Sequence, residues 1–315
     1  MRICIVTPPP PRTYHGNAVT ALRWQGILKD LGHQVEVTQE YSDGAFDVLV
    51  ALHARKSAPS VEHFTEAWPG APVVVALTGT DLYPDLATSG VPYAVLDAAA
   101  RLVVLQPLGI EQLPAHLRPR ARVIFQSAPP LAGETPRTDV FEVIQLAHLR
   151  PVKDPFRLAE ASRLLPPDSR IQVVHLGGVR ELEMAERARQ EMAINPRYRW
   201  LGEVPRPEAL RVLARSRLLA LTSKHEGGAN AISEAVAASV PVISSRIPGS
   251  LGLLGPDYPG YFTPGNTVEL ACLLCRAETE PSLLDNLARR VMGLRAQFDP
   301  GLERNRWRSL LAEIA

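Results

Sequence analysis

The stretch "LLALTSKHEGGANAISEA", residues 218–235, decides the fold. Leu218 to Leu221 is an apolar run of strand length, Thr222 to Gly228 is rich in turn formers, and a helical period begins at Ala229 or Asn230. Strand, glycine turn and helix in that order form part of a βαβ unit. In a parallel sheet helices cover both faces, so its strands read as continuous apolar runs. The turn holds Glu226, and the helix holds Glu234 about one turn in. At a rise of about 1.5 Å per residue, Glu234 stands roughly 6 Å along the axis from Asn230, so the two carboxylates serve different positions.

Gly227 and Gly228 allow close approach of a ligand to backbone. The helix start at Ala229 and Asn230 offers unsatisfied N–H groups and the positive end of the dipole to a phosphate. A carboxylate one turn deeper can accept hydrogen bonds from two vicinal hydroxyls such as those of a ribose. The combination suits a nucleoside diphosphate. The alternative is local: Glu226 and Asn230 cap the helix, and Glu234 is a solvated helical residue.

The alternation of strand and helix extends in both directions. Apolar runs occur at 3–6, 34–38, 48–52, 72–77, 102–105 and 122–126 in the first half, and at 141–147, 172–176, 199–201, 218–221, 241–244 and 260–262 in the second. Between them lies "APPLAGETPRTD", residues 128–139, a Pro/Gly/Thr stretch without period that reads as a linker. The expected architecture is α/β: two tandem Rossmann-like domains with parallel sheets, ligands lying at the carboxyl ends of the strands and facing a central cleft. The expected divisions are an N-terminal acceptor-binding domain over 1–137, a C-terminal nucleotide-sugar-binding domain over 138–298, and a terminal helix over 299–315 packing back on the first domain.

Composition narrows the function. The chain has 315 residues, 46% hydrophobic and 21% charged, with a net charge of +1, which supports sizeable cores and excludes a polyanion-binding surface for nucleic acid. No stretch reaches the 18 apolar residues of a membrane span, and Met1–Val6 runs directly into a strand pattern without a leader-like apolar region. The expected location is the cytoplasm. Three cysteines are too few for a disulfide scaffold. Cys272 and Cys275, spaced C-x-x-C on an apolar helical pattern, are expected to pack in the core.

Other strand ends carry candidate ligand-binding loops. "HLRPVKDP", residues 148–155, places Arg150 and Lys153 after the first strand of the second half, where a diphosphate clamp is needed. Lys224 lies just ahead of the E-G-G turn. "HLGGVRE", 175–181, is a strand followed by a glycine pair, too short of glycines for a dinucleotide fingerprint. In the first half, "TPPPPRTYHGNAVTALRWQ" turns through Gly16-Asn17 into a helix and offers Arg12, Thr13, Tyr14 and His15 to a small anion. "LTGTDLYPDL" brings Thr78, Thr80 and Asp81; Asp81 is a base or orienting group, or else caps a turn.

Together the Arg/Lys loop, the "LGEVPRPEALRVLARSRLLALTS" segment leading into E-G-G, and the spaced Glu pair resemble glycosyltransferase family 4, of GT-B fold. The resemblance implies that Glu234 holds the ribose of a UDP-sugar, Arg150 and Lys153 the diphosphate, Glu226 with Gly228 to Asn230 the donor sugar, and the loop at Gly202 to Val204 the base. Two departures stand out. Gly227-Gly228-Ala229-Asn230 replaces the commoner G-F-G-L, and Thr78 replaces the His of H-G-T-D.

The motifs "TPPPPRTYHGNAVTALRWQ", "TGTDLYPDL", "RPVKDP" and "EGGANAISEA" look most like the selenosugar synthases of selenoneine biosynthesis. That resemblance implies transfer of GlcNAc or glucose from UDP to the selenium of selenophosphate, giving a 1-seleno-sugar. UDP-GlcNAc or UDP-glucose and selenophosphate would be the substrates. Catalytic residues would be drawn from Glu226, Arg150, Lys153, His15 and Asp81. No cofactor is implied and no D-x-D pair is present for a metal, so cationic side chains are expected to stabilise the departing UDP. A family 4 enzyme using a hydroxyl or thiol acceptor, and a non-catalytic nucleotide-binding protein, are the alternatives.

Overall fold

The computed structural model describes every residue except Arg12, Ala132 and Gly133. Twelve strands run in chain order: β1 (Arg2–Val6), β2 (Gln34–Thr38), β3 (Val48–Leu52), β4 (Val73–Leu77), β5 (Arg101–Val104), β6 (Ala121–Val123), β7 (Phe141–Leu146), β8 (Ile171–Leu176), β9 (Tyr198–Trp200), β10 (Leu218–Leu221), β11 (Val242–Ser245) and β12 (Tyr261–Phe262). Every apolar run singled out in the sequence overlaps one of them. They form two six-stranded sheets, in the orders β2-β1-β3-β4-β5-β6 and β12-β11-β10-β7-β8-β9. Every pairing is parallel, with Leu218 opposite Val143 and Leu221 opposite Ser244.

The chain divides into two compact units. One comprises Met1–Ser127, Glu226–Gly228 and Asp299–Ala315, the other Ala128–His225 and Ala229–Phe298. Each sheet reverses its strand order once, between β1 and β3 in the first unit and between β7 and β10 in the second. At such a switch point adjacent loops leave in opposite directions, which opens a crevice at the carboxyl ends of the strands.

In the first unit the helix Gly16–Asp30 buries Ala21, Trp24 and Leu28, three and four residues apart, on one face. That face shares a core with Ile3, Ile5 and Val50 of the sheet and with Trp307, Leu310 and Leu311 of the terminal helix Pro300–Ala312. The Trp24 and Trp307 rings meet edge to face at 4.8 Å. Glu303, 1% exposed, reaches into this core. It accepts from Trp24 Nε1 at 2.7 Å, Arg23 Nε at 3.1 Å, and the Ser127 backbone N–H at 2.9 Å and hydroxyl. These donors satisfy a carboxylate whose burial alone would be costly. β6 is shorter than its apolar run because the chain bonds Ile124 N to Val104 O and then leaves the sheet toward Glu303.

Two local expectations are corrected. The helix starts at Gly16 instead of after a Gly16-Asn17 turn. On the helix Thr267–Thr279 the buried stripe is Leu270, Leu273, Leu274 and Ala277, whereas Cys272 is exposed and Cys275 half-buried. The cysteines share the 3.6 period but lie off the face that packs. Among the described residues no helix is long and apolar enough to cross a membrane.

Candidate functional site

In the second unit four strand ends are tied into one belt of loops. Past β7 the chain enters the single turn Pro151–Lys153, and Asp154 closes it in the left-handed region at φ +44°. Thr222, the first residue after β10, is buried; its hydroxyl donates to the Lys153 and Asp154 carbonyls at 3.0 and 2.9 Å and accepts from Gln145 Nε2 at 2.9 Å. Lys224 N donates to Val152 O at 2.8 Å, and the Ser245 hydroxyl holds the Ser223 carbonyl from β11. Arg150 and Lys153 are thereby fixed beside the segment of Lys224. The loops after β8 and β9 join the same belt: Leu149 N donates to Gly178 O at 3.0 Å, and Gly177 N to Gly202 O at 2.8 Å.

Backbone leaves no room for a side chain at one of these glycines. A Cβ on Gly177 would lie 1.8 Å from the Ala147 carbonyl oxygen. Below the belt His175 is fully buried: its Nδ1 meets the Tyr198 hydroxyl and its Nε2 the Ala147 carbonyl, each at 2.8 Å. The carbonyl can only accept, so Nε2 carries the proton and Tyr198 donates to Nδ1. Burial holds its pKa down at about 4 from the ordinary 6.5.

Thr222 to Ala229 leads into the helix Asn230–Ala238, whose N-cap residue, Ala229, brings no side-chain cap of its own. Glu234 is 8% exposed, which removes the reading of it as a solvated residue. Its Oε1 accepts from Arg206 Nη2 at 2.6 Å. Arg206 opens the helix Arg206–Arg215, two residues after Val204. Reading the sequence alone misses it: "VPRPEAL" shows an arginine at a helix start, and nothing in that stretch names a glutamate 28 residues on as its partner.

In the first unit Thr13 donates to Pro10 O at 2.9 Å and shares a 3.0 Å hydrogen bond with His15 Nδ1. His15 precedes the helix Gly16–Asp30 in extended backbone, and no side-chain cap hydrogen bond closes that helix. Tyr14 and Gly16 are exposed and Asn17 half-buried. Arg12 lies outside the described residues.

Asp81 is fully buried. Its carboxylate accepts from Gly79 N at 2.7 Å, Ala54 N at 2.8 Å and Thr78 N at 3.0 Å. Three backbone donors occupy it, so the assignment of Asp81 as a catalytic base is corrected: it builds the loop that presents Thr78 and Thr80. Gly227 and Gly228 belong to this same unit. A Cβ on Gly227 would stand 2.5 Å from the Thr78 carbonyl group, and one on Gly228 2.6 Å from Leu105 Cβ. The two glycines are required for packing.

Residues 132–290 match the family described as glycosyl transferases group 1. The whole fold resembles Anabaena HepE, solved in complex with UDP and glucose, at 16% identity with 99% of each chain covered and a TM-score of 0.78. A glycosyltransferase from Rickettsia africae and a sucrose-phosphate synthase from Thermosynechococcus elongatus each superpose at a TM-score of 0.74 and 15% identity, covering 99% of this chain and 98% of theirs. These likenesses establish a GT-B fold. No curated protein sequence matches the chain.

Proposed function

The chain belongs to the glycosyl transferases group 1 family, and from that premise we propose that it moves GlcNAc or glucose from a UDP-sugar to the selenium of selenophosphate. The observation that carries the donor half is the second-unit belt. The Arg150–Lys153 turn is hydrogen-bonded to the segment that leads into the start of the helix Asn230–Ala238, and the buried Glu234 stands one turn beyond.

In this reading the diphosphate takes the N–H groups at Ala229 and Asn230 together with the Arg150 and Lys153 cations. Lys224 adds positive charge at the rim. Glu234 accepts from the two ribose hydroxyls after Arg206 gives way, the backbone at Gly202 to Val204 lines the base, and Glu226 meets the sugar. Breaking the C1–O bond leaves its electron pair on UDP, whose growing charge these cations and N–H dipoles stabilise without a metal. Selenium supplies the pair for the new C1–Se bond. Water then cleaves the Se–P bond, releasing phosphate and the 1-seleno-sugar.

The acceptor half rests on Thr13, Tyr14, His15, Gly16, Asn17, Thr78 and Thr80 of the first unit, together with Arg12. Selenium is nucleophilic at neutral pH, so the absence of an imidazole at Thr78 costs less than it would for a sugar hydroxyl. The test is incubation with UDP-GlcNAc or UDP-glucose and selenophosphate, followed by mass detection of the product. A seleno-sugar appearing with UDP supports the reading; UDP release with sugar on a hydroxyl, a thiol or water instead rejects the selenium acceptor.

A further inference from the structure

His53, at the end of β3, is a buried imidazole with no part in the reaction described above. The order β1-β3-β4 places it between the Thr7–His15 loop and the Thr78–Asp81 loop, at the switch point of the first sheet. It is 5% exposed and adopts φ +68°, a left-handed conformation uncommon outside glycine. Hydrogen bonds on both sides impose it. His53 N donates to Ala76 O at 2.8 Å, and the next residue, Ala54, donates to Asp81. Backbone strain maintained this way marks a side chain aimed with purpose.

The ring has two neighbours. Nε2 lies 3.1 Å from Thr80 Oγ1, a hydrogen bond whose donor is set by the tautomer. Nδ1 lies 3.8 Å from Asp81 Oδ2 and, among the described residues, makes no hydrogen bond. Burial outweighs the attraction of Asp81 and, with the cations of Lys56 and Arg55, holds the imidazole pKa below its ordinary value. The ring is therefore neutral at pH 7 and carries one N–H. A proton on Nε2 would leave the bare Nδ1 lone pair facing the carboxylate; a proton on Nδ1 faces that carboxylate favourably and leaves Nε2 to accept.

We propose that Asp81 fixes His53 as the Nδ1–H tautomer, that Thr80 consequently spends its only proton on Nε2, and that the half-buried Thr80 oxygen is thereby an obligate hydrogen-bond acceptor for an O–H group of the incoming acceptor substrate. His53 and Asp81 are positioning residues, and Thr80 makes the contact. The site then prefers an acceptor with a protonated oxygen, whether the P–OH of hydrogen selenophosphate or the hydroxyl of an alcohol, over a fully ionised one. The inference uses the family assignment but not the selenium acceptor, so the two can fail separately.

The direct test is nitrogen NMR of the ligand-free full chain labelled at histidine. The His53 resonances are assigned by their loss in His53→Gln or, should that variant not fold, by their displacement in Thr80→Val. A protonated Nδ1 with an unprotonated Nε2 is expected, and the reverse overturns the proposal. In steady-state transfer from UDP-glucose, with selenophosphate and glycerol as alternative acceptors, Thr80→Val should raise the KM of whichever acceptor is used about tenfold and leave the donor KM unchanged. Thr80→Ser should restore the value. An unchanged acceptor KM in Thr80→Val overturns the contact even if the tautomer is as stated.

Discussion

Asp81 and Glu234 are both buried carboxylates near the carboxyl end of a strand, one in each unit, yet they differ in what holds them. Asp81 is satisfied by three backbone N–H groups, at Ala54, Thr78 and Gly79, which have no freedom to leave. Glu234 faces the long side chain of Arg206, which is about a third exposed. A carboxylate clamped by backbone shapes a loop. One paired to a flexible cation at a rim can exchange that partner for a ligand hydroxyl. On the proposed reading, burial alone does not separate a loop-building acid from a ligand-binding one; the mobility of the partner does.

The contrast can be broken by substitution. Asp81→Ala strands three buried donors and should cost about 4 kcal/mol of unfolding free energy in urea titration, at roughly 1–3 kcal/mol per orphaned group and with partial relaxation. UDP affinity should stay unchanged. A stable Asp81→Ala protein would mean that the loop is built by something else.

The second unit's scaffold should be sensitive to acid. His175 is neutral in the folded chain and has a lowered pKa, so its contribution is complete above the unfolded value of 6.5 and is lost as pH falls from there to about 4. Stability should drop over that range by on the order of 3 kcal/mol more in the wild type than in His175→Gln. Parallel pH profiles for the two would contradict the burial of a neutral ring.

Glu234→Ala should lower UDP affinity by about 2 kcal/mol in calorimetry, because two ribose hydroxyls lose their acceptor. Its cost to stability should be smaller than that of Asp81→Ala. Arg206→Ala should have the smallest effect, under about 1 kcal/mol on stability, because Arg206 is about a third exposed and water can take its place beside Glu234. It should not weaken UDP binding. A large loss of affinity in Arg206→Ala would show that Arg206 binds the ligand itself instead of holding its place.

The central strands were legible because they are buried on both faces and read as unbroken apolar runs; Val48–Leu52 and Val73–Leu77 are buried at every position, whereas the edge strand Gln34–Thr38 showed only by its alternation. The E-G-G turn was legible because glycine next to a helical period has few other meanings. What escaped depends on partners distant in the chain. Ala54 reaches Asp81 from 27 residues away and Arg206 reaches Glu234 from 28, so neither pairing leaves a local pattern. The same holds for His53, whose left-handed backbone is imposed by β4. Cys272 and Cys275 show another limit: one residue of phase on a helix moves a side chain from core to solvent.

The most direct measurement is a crystal structure of the full chain with UDP. The diphosphate is expected at the N-terminus of the helix Asn230–Ala238, with Arg150 and Lys153 on its oxygens, Arg206 displaced, and both ribose hydroxyls on Glu234. A nucleotide bound elsewhere, or a ribose in place with the Arg206–Glu234 pair intact, would contradict it.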